Sequence, residues 1–319
     1  MTSFAAAMVL AAGRGERMRP LSAVIPKPAL PLPDGPVVAS ALRLAAGAGI
    51  GRLVVNTFHL AERMAAAVAE VALPGATVVI SRETALMGTA GGLALARDRG
   101  LLGDSGPVLV INGDGALGLD LGPLFDRHLR RDDLVTLALL PHLDPQRWSR
   151  IELDAAGRVT AIRSAGRPGA REVPLLYPGV MAVARTALDA LPAGPGEVPA
   201  ALWRPAMTAG RLGGAVVAGH WREVGTPADY LALVVSRLQG SSLIHPTAKV
   251  AGTAELDGAL VGTGARIGTW ARVSHSAILD GATVAEGSEV ADSVLLGAVQ
   301  SAPGEVVRDV FQVAAPPGS

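Results

Sequence analysis

Short apolar blocks alternate with Ala- and Leu-rich amphipathic stretches through the first two thirds of the chain. Residues 4–9 (FAAAMV), 52–56 (RLVVN), 76–80 (ATVVI) and 108–111 (VLVI) have the length and apolar continuity of buried strands, whereas 41–48, 60–71 and 89–99 predict helices. This alternation predicts an α/β fold, a mainly parallel sheet with helices on both faces. Ligands of such sheets bind beyond the carboxyl ends of the strands, where residues 10–12, Asn56 and residues 112–114 fall. After Pro141 the pattern loosens. Residues 147–162 predict a hairpin turning at 154–157, residues 176–183 a strand between two Pro/Gly-rich stretches, and residues 227–238 a last helix ending at Gly240.

Beyond residues 240–242, which read as a linker, the pattern changes to a regular schedule. Aliphatic residues fall at Ile244, Val250, Leu256, Val261, Ile267, Val273, Ile278, Val284, Val290 and Leu295, with small and polar residues between them. Spacings of six, six and five repeat three times, so 244, 261, 278 and 295 are each 17 apart. One inward aliphatic residue per side of a triangular coil produces this schedule, and it predicts a short left-handed parallel β-helix of three coils with hexapeptide repeats. Three coils are near the minimum for a solenoid, so this one is expected to lean on the preceding domain or on another subunit, and a homo-oligomer is the expected state. The domain division is expected at 1–240 and 241–319.

Composition narrows the class. Half of the 319 residues are hydrophobic, enough for a large core. Lys plus Arg and Asp plus Glu both number 28, and no basic run lies outside the opening loop, so nothing favours a nucleic-acid partner. The absence of cysteine excludes disulfides, thiolate nucleophiles and Cys-ligated zinc. The apolar start lacks the preceding cation of a signal peptide, and every apolar run is interrupted before the ~20 residues of a membrane span, so a soluble cytoplasmic protein is expected.

The chemistry concentrates between Leu10 and Lys27, in LAAGRGERMRPLSAVIPK. Ala11, Ala12 and Gly13 let a ligand approach the backbone, Gly15 supplies a tight turn, and Arg14, Arg17, Arg19 and Lys27 bring cations. Backbone amides and cations at a strand end suit a polyphosphate. Two familiar glycine loops are excluded: no Gly-Lys-Ser/Thr closes a Walker A pattern, and Met18 stands where the dinucleotide fingerprint needs its third glycine. From glycines and arginines alone, a tight βα connection with surface arginines remains an equal reading.

The string LAAGRGERMRPLSAVIPKPALPL resembles the signature loop of the sugar-1-phosphate nucleotidyltransferases, the nucleotide-sugar pyrophosphorylases. The layout is similar to that of mannose-1-phosphate guanylyltransferases with a C-terminal hexapeptide-repeat domain. The resemblance implies a Rossmann-like sheet and transfer of a nucleoside monophosphate from an NTP to a sugar-1-phosphate, with Mg²⁺ as cofactor. It implies that residues 10–15 wrap the nucleotide, that Arg17 binds its phosphates and that Lys27 lies near the phosphates of the reactants. Asp114, in VLVINGDGAL, corresponds to a metal-binding Asp of the family. Read alone, an Asp after a strand is more often a cap or turn former. A second metal ligand is implied in Trp221-Arg222-Glu223-Val224-Gly225-Thr226-Pro227, where Glu223 replaces the usual Asp and moves the carboxylate by over ~1 Å.

Residues 83–92, ETALMGTAGG, resemble the family's base-binding motif, implying nucleotide roles for Glu83, Gly88 and Thr89. The G-T-A-G form favours GTP over dTTP, and the plain alternative for Thr89 is a helix N-cap. On the acceptor side the resemblance implies Asn112, Tyr177 and Gly179, with Arg167 in Gly166-Arg167-Pro168 replacing the family's Lys and no matching Glu. Mannose-1-phosphate is the default acceptor, with a modified sugar or cyclitol phosphate open. Another base with another sugar is the alternative within the class. A catalytically weak nucleotide-binding regulatory or scaffold subunit is the alternative outside it.

Overall fold

The computed structural model describes residues 4–141, 146–166 and 174–314, in two compact units. The first takes the chain up to Gly13 and resumes from Val38 to Arg222. Its centre is a ten-stranded sheet. The strands are β1 (Ala6–Leu10), β2 (Arg52–Thr57), β3 (Thr77–Arg82), β4 (Val108–Asn112), β5 (Val135–Pro141), β6 (Arg150–Leu153), β7 (Val159–Arg163), β8 (Leu175–Leu176), β9 (Val180–Val183) and β10 (Leu212–Val216). Their order is β7-β6-β8-β5-β9-β4-β1-β2-β3, with β10 also on β5.

The block β4-β1-β2-β3 is parallel, with Val9 opposite Ile111 on one side and Val55 on the other. Successive residues of β1 point to opposite faces, and Ala6, Ala7, Met8 and Val9 are all fully buried. Both faces are therefore covered, which is what an uninterrupted apolar strand requires. The helices of this unit are α1 (Ala39–Gly47), α2 (Ala61–Ala69), α3 (Gly88–Asp98), α4 (Gly122–Arg130), α5 (Arg185–Asp189) and α6 (Arg204–Thr208).

One expected element divides. The strand predicted over 176–183 is β8 followed by β9, because Gly179 takes φ +87 and breaks the extended backbone. Strand β9 then runs antiparallel to both β4 and β5, so the parallel block ends there.

The second unit joins residues 14–37 with 223–319, so the boundary expected at residue 240 falls inside it. Helix α7 (Pro227–Leu238) opens on a reciprocal cap. The Thr226 hydroxyl accepts from the Asp229 N–H (3.2 Å) and the Asp229 carboxylate accepts from the Thr226 N–H (3.0 Å).

After α7 the chain winds into a parallel β-helix whose ladders keep the 17-residue register. Ile244, Val261, Ile278 and Leu295 are successive partners, as are Val250, Ile267 and Val284, and Leu256, Val273 and Val290. The stack runs one coil further than expected, with Val307 beside Val290 and Gln312 beside Leu295. The aliphatic schedule hides this coil because Ser301 occupies an inward place. Its hydroxyl accepts from the Ala285 N–H (2.9 Å) and pairs with Ser288 (3.0 Å), so the buried polar group is satisfied.

Candidate active site

In the first unit the ligand edge is organised by a chain of buried hydrogen bonds. The Ala11 N–H donates to Asn56 Oδ1 (2.7 Å), Asn56 Nδ2 donates to Glu83 Oε1 (2.7 Å), and the Met87 N–H donates to Glu83 Oε2 (3.2 Å). Ends of β1, β2 and β3 are thereby tied together. Glu83 is only 4% exposed. Burial raises its pKa above the ordinary carboxylate value, while the bonds from Asn56 and Met87 and the charge of Arg99 oppose the rise. A Cβ on Gly92 would lie 2.7 Å from Asn56 Nδ2 and 2.8 Å from Glu83 Oε1, so the glycine makes room for this pair.

Thr89 and Gly88 belong to a second cluster, built with a segment that sequence reasoning treated only as Pro/Gly-rich. The Thr89 hydroxyl donates to Glu197 Oε2 (2.7 Å) and accepts from the Val198 N–H (2.8 Å). The Thr89 N–H also reaches Glu197 Oε2 (3.3 Å), and the Ala90 and Gly91 amides donate to the Gly196 carbonyl (2.9 and 3.2 Å). Free amides of the first turn of α3 are thus consumed by residues 196–197. Gly88 has φ +70, and a Cβ there would sit 2.6 Å from both Gly196 O and Glu197 Oε1. Glu197 is the residue sequence reasoning missed; an acid 108 positions away gives no local capping signal.

The acceptor candidates Asn112 and Gly179 come together. The Asn112 N–H donates to the Gly179 carbonyl (2.8 Å), and a Cβ on Gly179 would strike the Asn112 side chain at 2.8 Å. Tyr177 packs edge-on against Trp203, ring centroids 4.9 Å apart, and burial raises its phenol pKa. Arg167 lies outside the described residues. Asp114 follows β4 by two residues and is half-buried. The preceding Gly113 donates its N–H to the Leu10 carbonyl (2.9 Å), and a Cβ on it would meet Val9 Cγ1 at 2.9 Å. Among the described residues no group of three or more His, Cys, Asp or Glu could hold a metal alone. Single hard carboxylates do fit Mg²⁺, which commonly takes one or two carboxylates and fills its octahedron with substrate phosphates and water.

The second unit carries the cationic part of the loop. Gly15 has φ +61 and opens a 3₁₀ turn at Glu16–Met18. A Cβ added to it would meet Lys27 Cβ at 3.3 Å and Ser22 Cβ at 3.4 Å, so the loop folds tightly over Lys27, which is buried. Arg14 and Arg17 are exposed. Arg17 Nη2 pairs with Glu223 Oε1 at 3.0 Å, and an added Cβ on Gly225 would lie 3.3 Å from Arg17 Nη1 and 3.1 Å from Asp229 Oδ2. A residue expected to bind phosphate and one expected to bind metal are therefore partners of each other.

The first unit is an α/β fold whose parallel sheet runs into a glycine-rich turn, with buried carboxylate bonds tying its strand ends. Residues 6–164 match the nucleotidyl transferase family model. Mannose-1-phosphate guanylyltransferase of Mycobacterium tuberculosis is 30% identical over 229 residues, covering 70% of this chain and 62% of the relative. Probable mannose-1-phosphate guanylyltransferase 3 of Oryza sativa subsp. japonica is 24% identical over 262 residues, covering 76% and 72%. In fold, HddC from Yersinia pseudotuberculosis superposes with a TM-score of 0.62 at 20% identity, covering 72% of this chain and 98% of that one; a structure of HddC with GMP-PN gives 0.61.

Residues 6–164 of the chain make up a nucleotidyl transferase family domain. The chain's match spans less than two thirds of the length of the Mycobacterium tuberculosis relative.

Proposed function

We propose that this chain transfers a nucleoside monophosphate from an NTP, with GTP favoured, to a sugar-1-phosphate, with mannose-1-phosphate the default acceptor, releasing pyrophosphate. The observation that carries the reading is the loop from Leu10 to Lys27, in which Gly15 folds the backbone over Lys27 and leaves Arg17 exposed. A sugar-phosphate oxygen attacks the α-phosphorus in line; the new P–O bond forms as the bond to the bridging α,β oxygen breaks, and pyrophosphate leaves with that electron pair. The reaction needs alignment and charge compensation more than covalent help from the protein. Arg17 and Lys27 are proposed to supply cations to the phosphates. Asp114 and Glu223 are each proposed as a Mg²⁺ ligand, and the ion would neutralise charge developing on phosphate oxygens.

The first turn of α3, with its amides already bonded to residues 196–197, supports a role for residues 83–89 toward the base rather than the phosphates. Asn112, Gly179 and Tyr177 are assigned to the acceptor, as is Arg167. The names of the guanylyltransferase relatives support guanine and mannose. No described helix is long and apolar enough to cross a membrane; a cytoplasmic homo-oligomer is part of the proposal. One observation favours a second reading, a weakly active nucleotide-binding subunit: the Glu223 carboxylate is engaged by Arg17. Crossing four NTPs with several sugar-1-phosphates in the presence of Mg²⁺, with pyrophosphate as readout, separates the two. Turnover by the purified chain alone disposes of the second reading, and binding without turnover disposes of the first.

A further inference from the structure

We infer that the last coil of the β-helix is a positioning element for the phosphate loop, rather than a cap independent of it. The inference rests on the function proposed above only where it speaks of NTP. The first observation is a face of the solenoid that is apolar on its outside. Val261, Ile278 and Leu295 point into the coil, so their strand neighbours Leu260, Ala277, Val294 and Leu296 point outward. Yet these four are between 0% and 5% exposed, so other parts of the chain cover them.

The same compact unit contains residues 14–37 and α7. Tyr230 of α7 is fully buried and donates its hydroxyl to the Pro31 carbonyl (2.6 Å), and its phenol pKa is raised chiefly by burial, with the charge of Asp280 on the solenoid adding to it. Arg237 of the same helix pairs with Asp34 (2.5 Å). At the far end of the stack the turn Leu21–Ala23 lies against the strand Phe311–Val313 of the fourth coil. Phe311 and Val313 continue the outward columns of Val294 and Leu296. Leu21 and Ser22 are 0% and 2% exposed.

Support then passes along a short path. Strand Phe311–Val313 backs the turn Leu21–Ala23; Ser22 and Lys27 pack closely over Gly15, where an added Cβ would lie 3.4 and 3.3 Å from theirs. Gly15 in turn opens the 3₁₀ turn that carries Arg17. Displacing a positioned cation by about 1 Å can cost a factor of up to ~100 in a transfer reaction, so loosening Leu21 reaches the phosphates without touching them.

The test is hydrogen–deuterium exchange and ligand binding on the full chain with Phe311→Ala, and with Val313→Ala as the milder second variant. Exchange across residues 14–30 is expected to rise roughly tenfold while that of α3 stays unchanged. The GTP dissociation constant should rise on the order of tenfold and that of GMP less than about twofold, because GMP does not draw on the triphosphate cations. Phe311→Leu should restore both, and in an Arg17→Ala background the Phe311→Ala effect on GTP should vanish. Unchanged exchange at 14–30 in a folded Phe311→Ala or Val313→Ala protein overturns the inference, as does an equal loss of GTP and GMP. Failure of the wild-type chain to bind any NTP would sink the proposed function while leaving the exchange result to decide the coupling.

Discussion

Glu223→Gln should have effects of opposite sign with and without metal. In the folded chain Arg17 Nη2 stands 3.0 Å from Glu223 Oε1, with the Arg17 side chain 70% exposed and that of Glu223 22% exposed. Ion pairs of this exposure contribute about 0.2–1 kcal/mol. A triphosphate that takes Arg17 must displace Glu223 from it, so neutralising Glu223 without changing its shape removes a competitor. Metal-free GTP binding should therefore tighten by about 1.4- to 5-fold. The gain should shrink in 1 M salt, where the screening length falls to about 3 Å. With Mg²⁺ the same change removes a proposed carboxylate ligand, and turnover should fall by roughly tenfold or more. Isothermal titration of GTP in EDTA, beside a pyrophosphate-release assay in Mg²⁺, measures both arms. Metal-free affinity that is unchanged or weaker in Glu223→Gln would refute the competition between carboxylate and phosphate.

Other outcomes follow from the first unit. Asn56→Ala leaves the Ala11 N–H and the Glu83 carboxylate without their buried partner and should cost about 1–3 kcal/mol in urea unfolding; an undiminished midpoint would show that the link is dispensable. Gly88→Ala places a methyl group 2.6 Å from the Gly196 carbonyl at φ +70 and should raise the KM for NTP with little change in that for the sugar phosphate; equal changes in both would contradict the assignment of residues 83–89 to the nucleotide. His128 is buried and its pKa is lowered to about 4 from 6.5, chiefly by burial and against the charge of Asp133. The unfolded chain binds a proton there below pH 6.5 while the folded chain does not until near pH 4. This contribution is complete above pH 6.5 and is lost as pH falls, on the order of 2 kcal/mol between pH 7 and 5. Urea titrations at the two pH values should show a smaller difference in His128→Leu than in the wild type, and an identical slope would refute it.

What could be read in advance follows from how local each cause is. The 17-residue schedule was legible because one inward aliphatic residue per side repeats at fixed spacing, and the ladders keep that register residue for residue. Where Ser301 and Gln312 interrupt the aliphatic rule, the fourth coil disappeared from the pattern although the backbone continues it. The strand Leu212–Val216 escaped notice because LGGAV lacks the β-branched run of a strand. Its glycines are needed where an added Cβ on Gly213 would overlap Asp133 and one on Gly214 would crowd Leu139. In the candidate site, residue types were legible and partnerships were not. Nothing local announces that Asn56 bridges Ala11 to Glu83, that Glu197 holds Thr89, or that Glu223 takes Arg17, since each pair is separated by 27 to 206 positions.

The most direct measurement of the central claim is pyrophosphate release by Arg17→Ala beside the wild-type chain, with Mg²⁺, GTP and mannose-1-phosphate, and circular dichroism as the fold control. Arg17 is exposed, so its replacement should leave the core intact. Release by the wild type and its loss in a variant with an unaltered spectrum are the expected result. Substantial release by the folded variant would contradict the role given to this loop.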